Sequence, residues 1–298
     1  MELLQLYYFQ KVARLQHISL AARQLNIAQP ALSQSIKRLE NELGVPLFDR
    51  VGKNIVLNKQ GSILLKYTNS ILSSLNNCKK EIEDSYNASQ NMITLSIQAA
   101  SSLIPGLLQE FRNKYPDTHF QLLQHKSDTQ PTSSIDLFIK SSTEFSSSKN
   151  SKILLKEQLL VALPKTHPLA QKPSVCLASL YNESFISLSE GTQLYAMLLH
   201  FCNMAGFNPN ITLFSDNPNT LRDLIKLNFG IALLPEKTWN NVCAESIVKK
   251  KITDYECLRY IVLSHNPSSY LTERVRAFQD FAIQYFYQFD ENINSDLI

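Results

Sequence analysis

The sequence predicts an α/β protein headed by an all-α winged helix-turn-helix and a single long helix. Three observations predict it. Two short helical stretches meet at a tight turn near residues 18–37, and an apolar seam with helical spacing runs through about 59–86. From residue 92 onward, apolar strand-like runs alternate with helical ones, the rhythm of an α/β fold. At 298 residues the chain is too long for one ordinary core and implies two or three domains. Their bounds read as 1–58, a linking helix over 59–88, and 89–298.

The first element pair is Ile18 to Glu40. Ser19 reads as the N-cap of the first helix, its hydroxyl accepting from a backbone N–H one turn on. Ala21 and Ala22 are small enough for a close crossing, and Asn26 tolerates the left-handed conformation that stops the helix. Pro30 suits the opening of the second helix, where its missing N–H costs nothing. Leu32, Ile36, Leu39 and Leu43 share one stripe and are predicted to be buried. Pro30, Ser33, Gln34 and Lys37 fall on the opposite side, with Gln29 at its entry. That ridge offers donors and acceptors suited to base edges and a cation suited to phosphates. A helix that needs only solubility would more often carry Glu and Lys there.

Gly44 ends the second helix, and a short basic strand-like segment with Arg50, Gly52 and Lys53 follows. Two cations in a turn beside a recognition helix form a wing able to grip flanking backbone. Residues 1–65 resemble the N-terminal domain of LysR-type transcriptional regulators. The resemblance rests on Leu6-x-x-Phe9, Ala21-Ala22-x-x-Leu25, Gln29-Pro30-Ala31-Leu32-Ser33, Ile36-x-x-Leu39-Glu40, Leu43-Gly44-x-x-Leu47-Phe48-x-Arg50 and Gly61. Two departures touch caps or entry turns: His17 where the family usually has serine, and Asn58-Lys59 where it usually has leucine-threonine.

Charge placement agrees with a polyanion-binding head. Through residue 66 nine Lys and Arg stand against four acids, a surplus of five, while the remainder holds 20 against 22. No apolar run approaches the ~20 residues of a membrane span. Met1-Glu2-Leu3-Leu4 lacks the basic and apolar regions of a secretory signal, so a cytoplasmic protein is expected. The five cysteines, at 78, 176, 202, 243 and 257, are scattered and form no Cys-x-x-Cys, which argues against a zinc site or a disulfide framework.

In the long helix Leu64, Tyr67, Ile71, Leu75, Cys78 and Ile82 advance by three or four residues along one face. So narrow a seam on so long a helix is best buried by the same helix of a second chain; the other reading packs it on the chain's own C-terminal domain. LysR-type regulators use this segment for dimerisation. Tyr86 to Asn91, rich in Asn, Ser and Gln, reads as the hinge that follows.

The C-terminal part opens with a strand at 93–97 and a helix at about 102–115, then strands at 120–123, 135–139 and within 153–164. A second cycle gives strand 185–188, helix 192–205, strand 211–214, a helix near 218–228 and strand 230–235. Strand 258–263 returns toward the first lobe, and a final helix packs through Val275, Phe278, Phe281 and Tyr285. The layout resembles the family's effector-binding domain, through Phe111-x-x-x-Tyr115-Pro116, Asp136-Leu137-x-Ile139, His167-Pro168-Leu169-Ala170, Ala205-Gly206-Phe207-x-Pro209 and Gly230-Ile231-Ala232-Leu233-Leu234-Pro235. The resemblance implies two lobes around a cleft, like a solute-binding protein, with lobe I at 92–162 plus 265–298 and lobe II at 163–264. Gln124 to Ser134, containing Pro131, stands where the family usually has a full helix.

In such a sheet, ligands bind beyond the carboxyl ends of strands, where helix N-termini present free amides. Ala100, Ser101 and Ser102 follow the first strand, and Thr192 and Gln193 open the helix of the second lobe. Their hydroxyls suit a carboxylate, or serve merely as caps. Lys140, directly after its strand, adds a positive charge to the cleft or is a solvated lysine. Catalytic motifs are absent: the seven glycines form no nucleotide loop, and neither Gly-x-Ser-x-Gly nor His-Glu-x-x-His occurs. His167 and His200 have no evident acid or nucleophile partner in sequence. Peroxide-sensing relatives use a cysteine in the second lobe, but Cys243 is distant in sequence from Cys202.

The expectation is a cofactor-free transcriptional regulator of the LysR type, not an enzyme. It would be a homodimer or dimer of dimers on double-stranded DNA, modulated by a small anionic effector and independent of membranes. Gln29, Pro30, Ser33 and Gln34 would lie near bases, with Lys37, Arg50 and Lys53 on phosphates. The alternative is a ligand-binding or enzymatic α/β protein with an N-terminal association domain.

Overall fold

The computed structural model describes residues 1–298 apart from 52–53, 87–90, 125–134, 145–147, 240–245 and 290–298; of residues 50, 51 and 54 only the backbone is described. Two compact units result. The first contains Met1–Ser89 and Asn266–Thr272; the second contains Gln90–Lys126, Ile135–His265 and Glu273–Ile298.

The first unit runs α1 (Leu3–Leu15), α2 (Ile18–Gln24), α3 (Gln29–Leu43), β1 (Phe48–Val51), β2 (Asn54–Leu57) and α4 (Lys59–Ser85). Phe9, Val12, Ala21, Ala22, Leu32, Ile36, Leu39 and Leu47 form its core. The cap of α2 differs from expectation. The helix starts at Ile18, and the ring nitrogen Nδ1 of His17, not the hydroxyl of Ser19, accepts from the Leu20 amide at 3.2 Å. The imidazole thus supplies the acceptor that a serine would offer at the N-cap. Asn26 takes a φ of 53°. Its amide donates to Arg23 O and that of Ile27 to Ala22 O, which ends α2 as the sequence implied.

Leu43 also departs: it is 38 % exposed rather than buried, because α3 stops there against left-handed Gly44 before the stripe returns to the core. β1 and β2 pair antiparallel, Phe48 opposite Leu57, as a two-stranded ribbon. α4 is capped by Asn58, whose Oδ1 accepts from the Gly61 amide at 2.8 Å, so the departure at 58 preserves the cap. Of the predicted seam, Leu64 packs on the helix-turn-helix core, while Tyr67, Ile71, Leu75, Cys78 and Ile82 are exposed. α4 also buries Gly61, Thr68 and, on the side away from the seam, Ser73, and Gln10 of α1 donates to Asn69.

Asn266–Thr272, read from the sequence as part of lobe I, belongs to this unit. The Tyr270 amide donates to Asn77 Oδ1 and its hydroxyl to Asp84 Oδ2, each at 2.9 Å, both on α4.

The second unit is built from β3 (Met92–Ile97), α5 (Ile104–Lys114), β4 (His119–Leu123), β5 (Leu137–Ser142), β6 (Ser151–Pro164), β7 (Ser174–Val175), β8 (Ser184–Leu188), α6 (Gln193–Met204), β9 (Asn210–Ser215), α7 (Pro218–Lys226), β10 (Ala232–Pro235), β11 (Ile247–Ile252), β12 (Leu258–Ser264) and α8 (Glu273–Tyr287). One strand path runs β4-β3-β5-β12-β6-β11-β7, with β10 also on β6, and β8 pairs β9 separately. The 14-residue β6 joins two lobes: residues 151–158 pair β12, and residues 159–164 lie between β10 and β11.

β12 pairs β5 and the first half of β6, so it returns to lobe I as the sequence implied, and the bound of lobe II drawn at 264 runs past it. β11 is not among the expected strands, since three consecutive lysines, Lys249-Lys250-Lys251, carry no strand signal. Its Lys249 amine donates to the carbonyls of Pro235, Glu236 and Trp239 at 2.9–3.2 Å, so it is spent on the fold. In lobe I, Phe111 of α5 packs edge-on to Phe278 of α8 with centroids 5.0 Å apart. In lobe II the core gathers Leu163, Phe185, Ile186, Met197, Phe201, Leu221, Ile231 and Leu234. Arg274 ties α8 to Asp117 and Thr118; its hydrogen bond holds the Asp117 carboxyl below the usual carboxylate range. Apart from Gln124, the segment 124–134 lies outside the described residues, as do hinge residues 87–90, Cys243 and the tail from 290.

Candidate nucleic-acid interface

Two features fix how α3 is presented. Ala21 and Ala22 are buried at the crossing with α3, so no large side chain spaces the two helices apart. Pro30, in the first turn of α3, pre-sets the backbone for its start. With Leu32, Ile36 and Leu39 buried, Gln29, Pro30, Gln34 and Lys37 are exposed and Ser33 is half-buried. Among the described residues no hydrogen bond within the chain engages the side chains of Gln29, Ser33, Gln34 or Lys37. A ridge of four polar groups therefore stands at one helix face with its donors and acceptors open.

The ribbon beside it is braced from α3. Glu40 Oε1 accepts from the Leu47 amide at 2.8 Å, Asn58 Nδ2 donates to Pro46 O, and the Asn58 amide donates to Leu47 O. Gly61 completes the brace, since a Cβ there would stand 2.2 Å from Leu47 O and 2.6 Å from Leu57 Cδ1. Arg50 sits on β1 opposite Ile55, with its side chain outside the described residues; Lys53 lies outside them altogether. Sequence reasoning missed Glu40 and His17 as positioning residues. The signal for Glu40 was present, as an acid one turn before a glycine stop beside a chain reversal.

Residues 3–62 match the model of the bacterial regulatory helix-turn-helix proteins of the lysR family, and residues 90–286 match the LysR substrate binding domain. The chain belongs to the LysR family of transcriptional regulators. It is 33% identical to the uncharacterized HTH-type transcriptional regulator YybE of Bacillus subtilis, over 96% of this chain and 99% of that protein. It is 30% identical to the transcriptional dual regulator GltC of the same organism, over 98% and 99%. A full-length OxyR variant from Pseudomonas aeruginosa shares the fold with a TM-score of 0.63 at 21% identity, covering 96% of this chain and 94% of that one. CbnR in complex with its target DNA does so with a TM-score of 0.59 at 18% identity, covering 96% and 100%. This LysR-type chain is therefore a DNA-binding transcriptional regulator with a substrate-binding domain, and its family are regulators rather than enzymes.

The second set of predicted residues is brought only partly together. Parallel register aligns Ile97 of β3 with Ile139 of β5, so Ala100, Ser101, Ser102 and Lys140 share one end of the lobe I sheet. Ala100 is buried with a φ of 57°, and Ser102 donates from its hydroxyl to Thr238 O. Lys140 lies within β5 rather than after it, because the strand runs on to Ser142; it is exposed on the face opposite Ile139 and Ser141. In lobe II, Thr192 caps α6, accepting from the Tyr195 amide and donating to Ser189 O. Gln193 is exposed at the first position of that helix. No hydrogen bond joins the two groups among the described residues, and Ser101, Lys140 and Gln193 keep their polar atoms open.

A buried cluster that sequence reasoning missed sits where β6 passes from lobe I to lobe II. Glu157 Oε2 accepts from the amides of Lys237 and Thr238, and its Oε1 from Thr238 Oγ1 and Arg259 Nε at 2.8 Å. A charge inside an apolar strand demands such partners, and Glu157 among leucines was the available signal.

His167 and Cys202 have structural surroundings. His167 does have an acid nearby, Glu183 at 3.3 Å, and its Nδ1 accepts from the Leu169 amide. Cys202 interacts electrostatically with Cys257, the neighbour that sequence distance concealed; burial pushes both thiols up to about 12, leaving little thiolate at neutral pH. Among the described residues no cluster of three or more His, Cys, Asp or Glu side chains is arranged to hold a metal, and no helix is long and apolar enough to cross a membrane.

Proposed function

We propose that this LysR-type regulator binds double-stranded DNA as a homodimer or dimer of dimers, with α3 in the major groove. Gln29, Pro30, Ser33 and Gln34 face base edges, and Lys37, Arg50 and Lys53 meet phosphates. The observation that carries this reading is the open polar ridge of α3 opposite the buried Leu32, Ile36 and Leu39. The exposed seam of α4 supports pairing with a second copy, which would place two recognition helices on a dyad-symmetric site. The bound effector is a small anion at Ala100, Ser101, Ser102, Lys140, Thr192 and Gln193. The open Ser101, Gln193 and Lys140 support this, and occupancy would shift how the subunits bend the DNA.

Binding to a fragment of the chain's own promoter separates the two roles on α3. Lys37→Ala is expected to weaken binding to every sequence and to lower the slope of log K against log salt by about 1. Gln34→Ala is expected to lose about 1–3 kcal/mol of discrimination at one base position while keeping the salt slope. Fluorescence anisotropy over a salt series reads both; wild-type behaviour from both variants would remove α3 from the groove.

A further inference from the structure

A polar cavity in the first unit has no role in the reading above. It measures about 320 Å³, and its walls come from α1 (Gln10, Arg14), α4 (Lys66, Asn69, Ser70, Ser73) and the 266–268 segment held on α4. Nothing from α2, α3 or the β1–β2 ribbon lines it, so a duplex lying on the recognition ridge does not explain it. Its lining holds two cations and no carboxylate. Among the described residues Lys66 has only the neighbouring Tyr67 ring, 5.8 Å from its amine. Arg14 has no acid partner among them, and partial loss of hydration lowers its pKa from the ordinary arginine value.

The walls add hydrogen-bond donors to this charge. Ser73 is 5 % exposed, lies inside α4 and has no hydrogen-bond partner among the described residues. A serine within a helix ordinarily bonds back to the preceding turn, so the Ser73 hydroxyl stands able to donate into the cavity that its residue lines. Gln10 Nε2 donates to Asn69 Oδ1 at 2.6 Å, which leaves the Asn69 amide nitrogen free to donate in turn. A planar guanidinium, an ammonium and neutral N–H and O–H donors together match a tetrahedral oxyanion with several acceptor oxygens.

We propose that the cavity between α1 and α4 binds a small organic phosphate, its dianionic head held by Arg14 and Lys66 and by donors from Ser73 and Asn69. The volume exceeds what a bare ion fills, since one water takes about 30 Å³, so the ester carries a small organic part. This site is separate from both the α3 ridge and the effector residues of the second unit, and it does not depend on either assignment.

The test uses the full-length protein with inorganic phosphate and glycerol 3-phosphate as probes, at constant ionic strength against chloride. Phosphorus NMR line broadening and calorimetry should show saturable binding of one phosphate per chain. Arg14→Gln and Lys66→Gln are each expected to weaken it about tenfold or more, and Ser73→Ala several-fold. Lys79→Gln, an exposed lysine on the same helix, is expected to leave it unchanged. Three results would overturn the site: no saturable binding by the wild type at millimolar probe, wild-type affinity in both Arg14→Gln and Lys66→Gln, or displacement of phosphate by a duplex oligonucleotide, which would put the ion on the α3 ridge instead.

Discussion

Replacing Ile71 and Leu75 together by aspartate is expected to turn the protein into monomers and to abolish binding to a dyad-symmetric duplex. Both side chains stand on the exposed face of α4, at 38 % and 45 % accessible, in line with Tyr67 and Ile82. Burying an aliphatic side chain fully contributes about 1.5–3 kcal/mol, so the 38–45 % still exposed on four such side chains contributes roughly 2–5 kcal/mol in a symmetric pair. Burying four facing aspartates adds a desolvation cost of several kcal/mol. Losing about 8 kcal/mol carries a dimer from nanomolar to millimolar dissociation. Exposed aspartates cost the helix itself only ~0.7 kcal/mol each in propensity. Circular dichroism should therefore report an intact helix while sedimentation reports a single chain. The conservative pair Ile71→Leu and Leu75→Met is expected to remain dimeric. A double aspartate variant that sediments like the wild type would remove α4 from the interface.

The second large effect is expected at Gly61. Alanine is the better helix former there by about 1 kcal/mol, and no unusual backbone angle opposes it. The added Cβ, however, would meet the Leu47 carbonyl at 2.2 Å, and that carbonyl already accepts from the Asn58 amide. Backbone cannot yield as a flexible side chain can, so overpacking of about 1–3 kcal/mol or more dominates the propensity gain. A net loss near ~2 kcal/mol corresponds to roughly 10 °C in the melting transition of a unit this size. The ribbon should also shift, weakening DNA binding. Gly191→Ala is the contrast: its φ of 83° is strained for alanine, but nothing lies within 4 Å, so a cost of about 1 kcal/mol and no effect on the N-terminal unit are expected. Calorimetry distinguishes the two, and a Gly61→Ala variant as stable as the wild type would contradict the contact.

The parts legible in the sequence are those governed by local periodicity. The α3 stripe, the left-handed stop at Asn26, the length of α4 and the alternation from residue 92 follow from spacing that one helix or strand imposes on itself. What was not legible depends on partners far apart in the chain. His17 displaces Ser19 as a cap because either side chain offers an acceptor, and only the backbone start decides between them. The lysine-rich β11 is a strand because carbonyls around 235–239 absorb the Lys249 charge. Glu157 needs Arg259 and Thr238, which lie 102 and 81 residues further along the chain. Cys257 is invisible to an argument that weighed only Cys243. The candidate DNA ridge lies on one helix and was readable; the effector residues come from two lobes, and their relation was not.

Paired recognition through α3 is tested most directly by footprinting the wild-type protein on its own promoter while counting chains per duplex by sedimentation. Two chains per dyad-symmetric site are predicted, or four where two dimers share one duplex, each dimer protecting two major-groove segments about 10 base pairs apart, or a multiple of that, with protection fading as salt rises. A single chain at one unpaired segment, or no retained duplex at low salt, would contradict it.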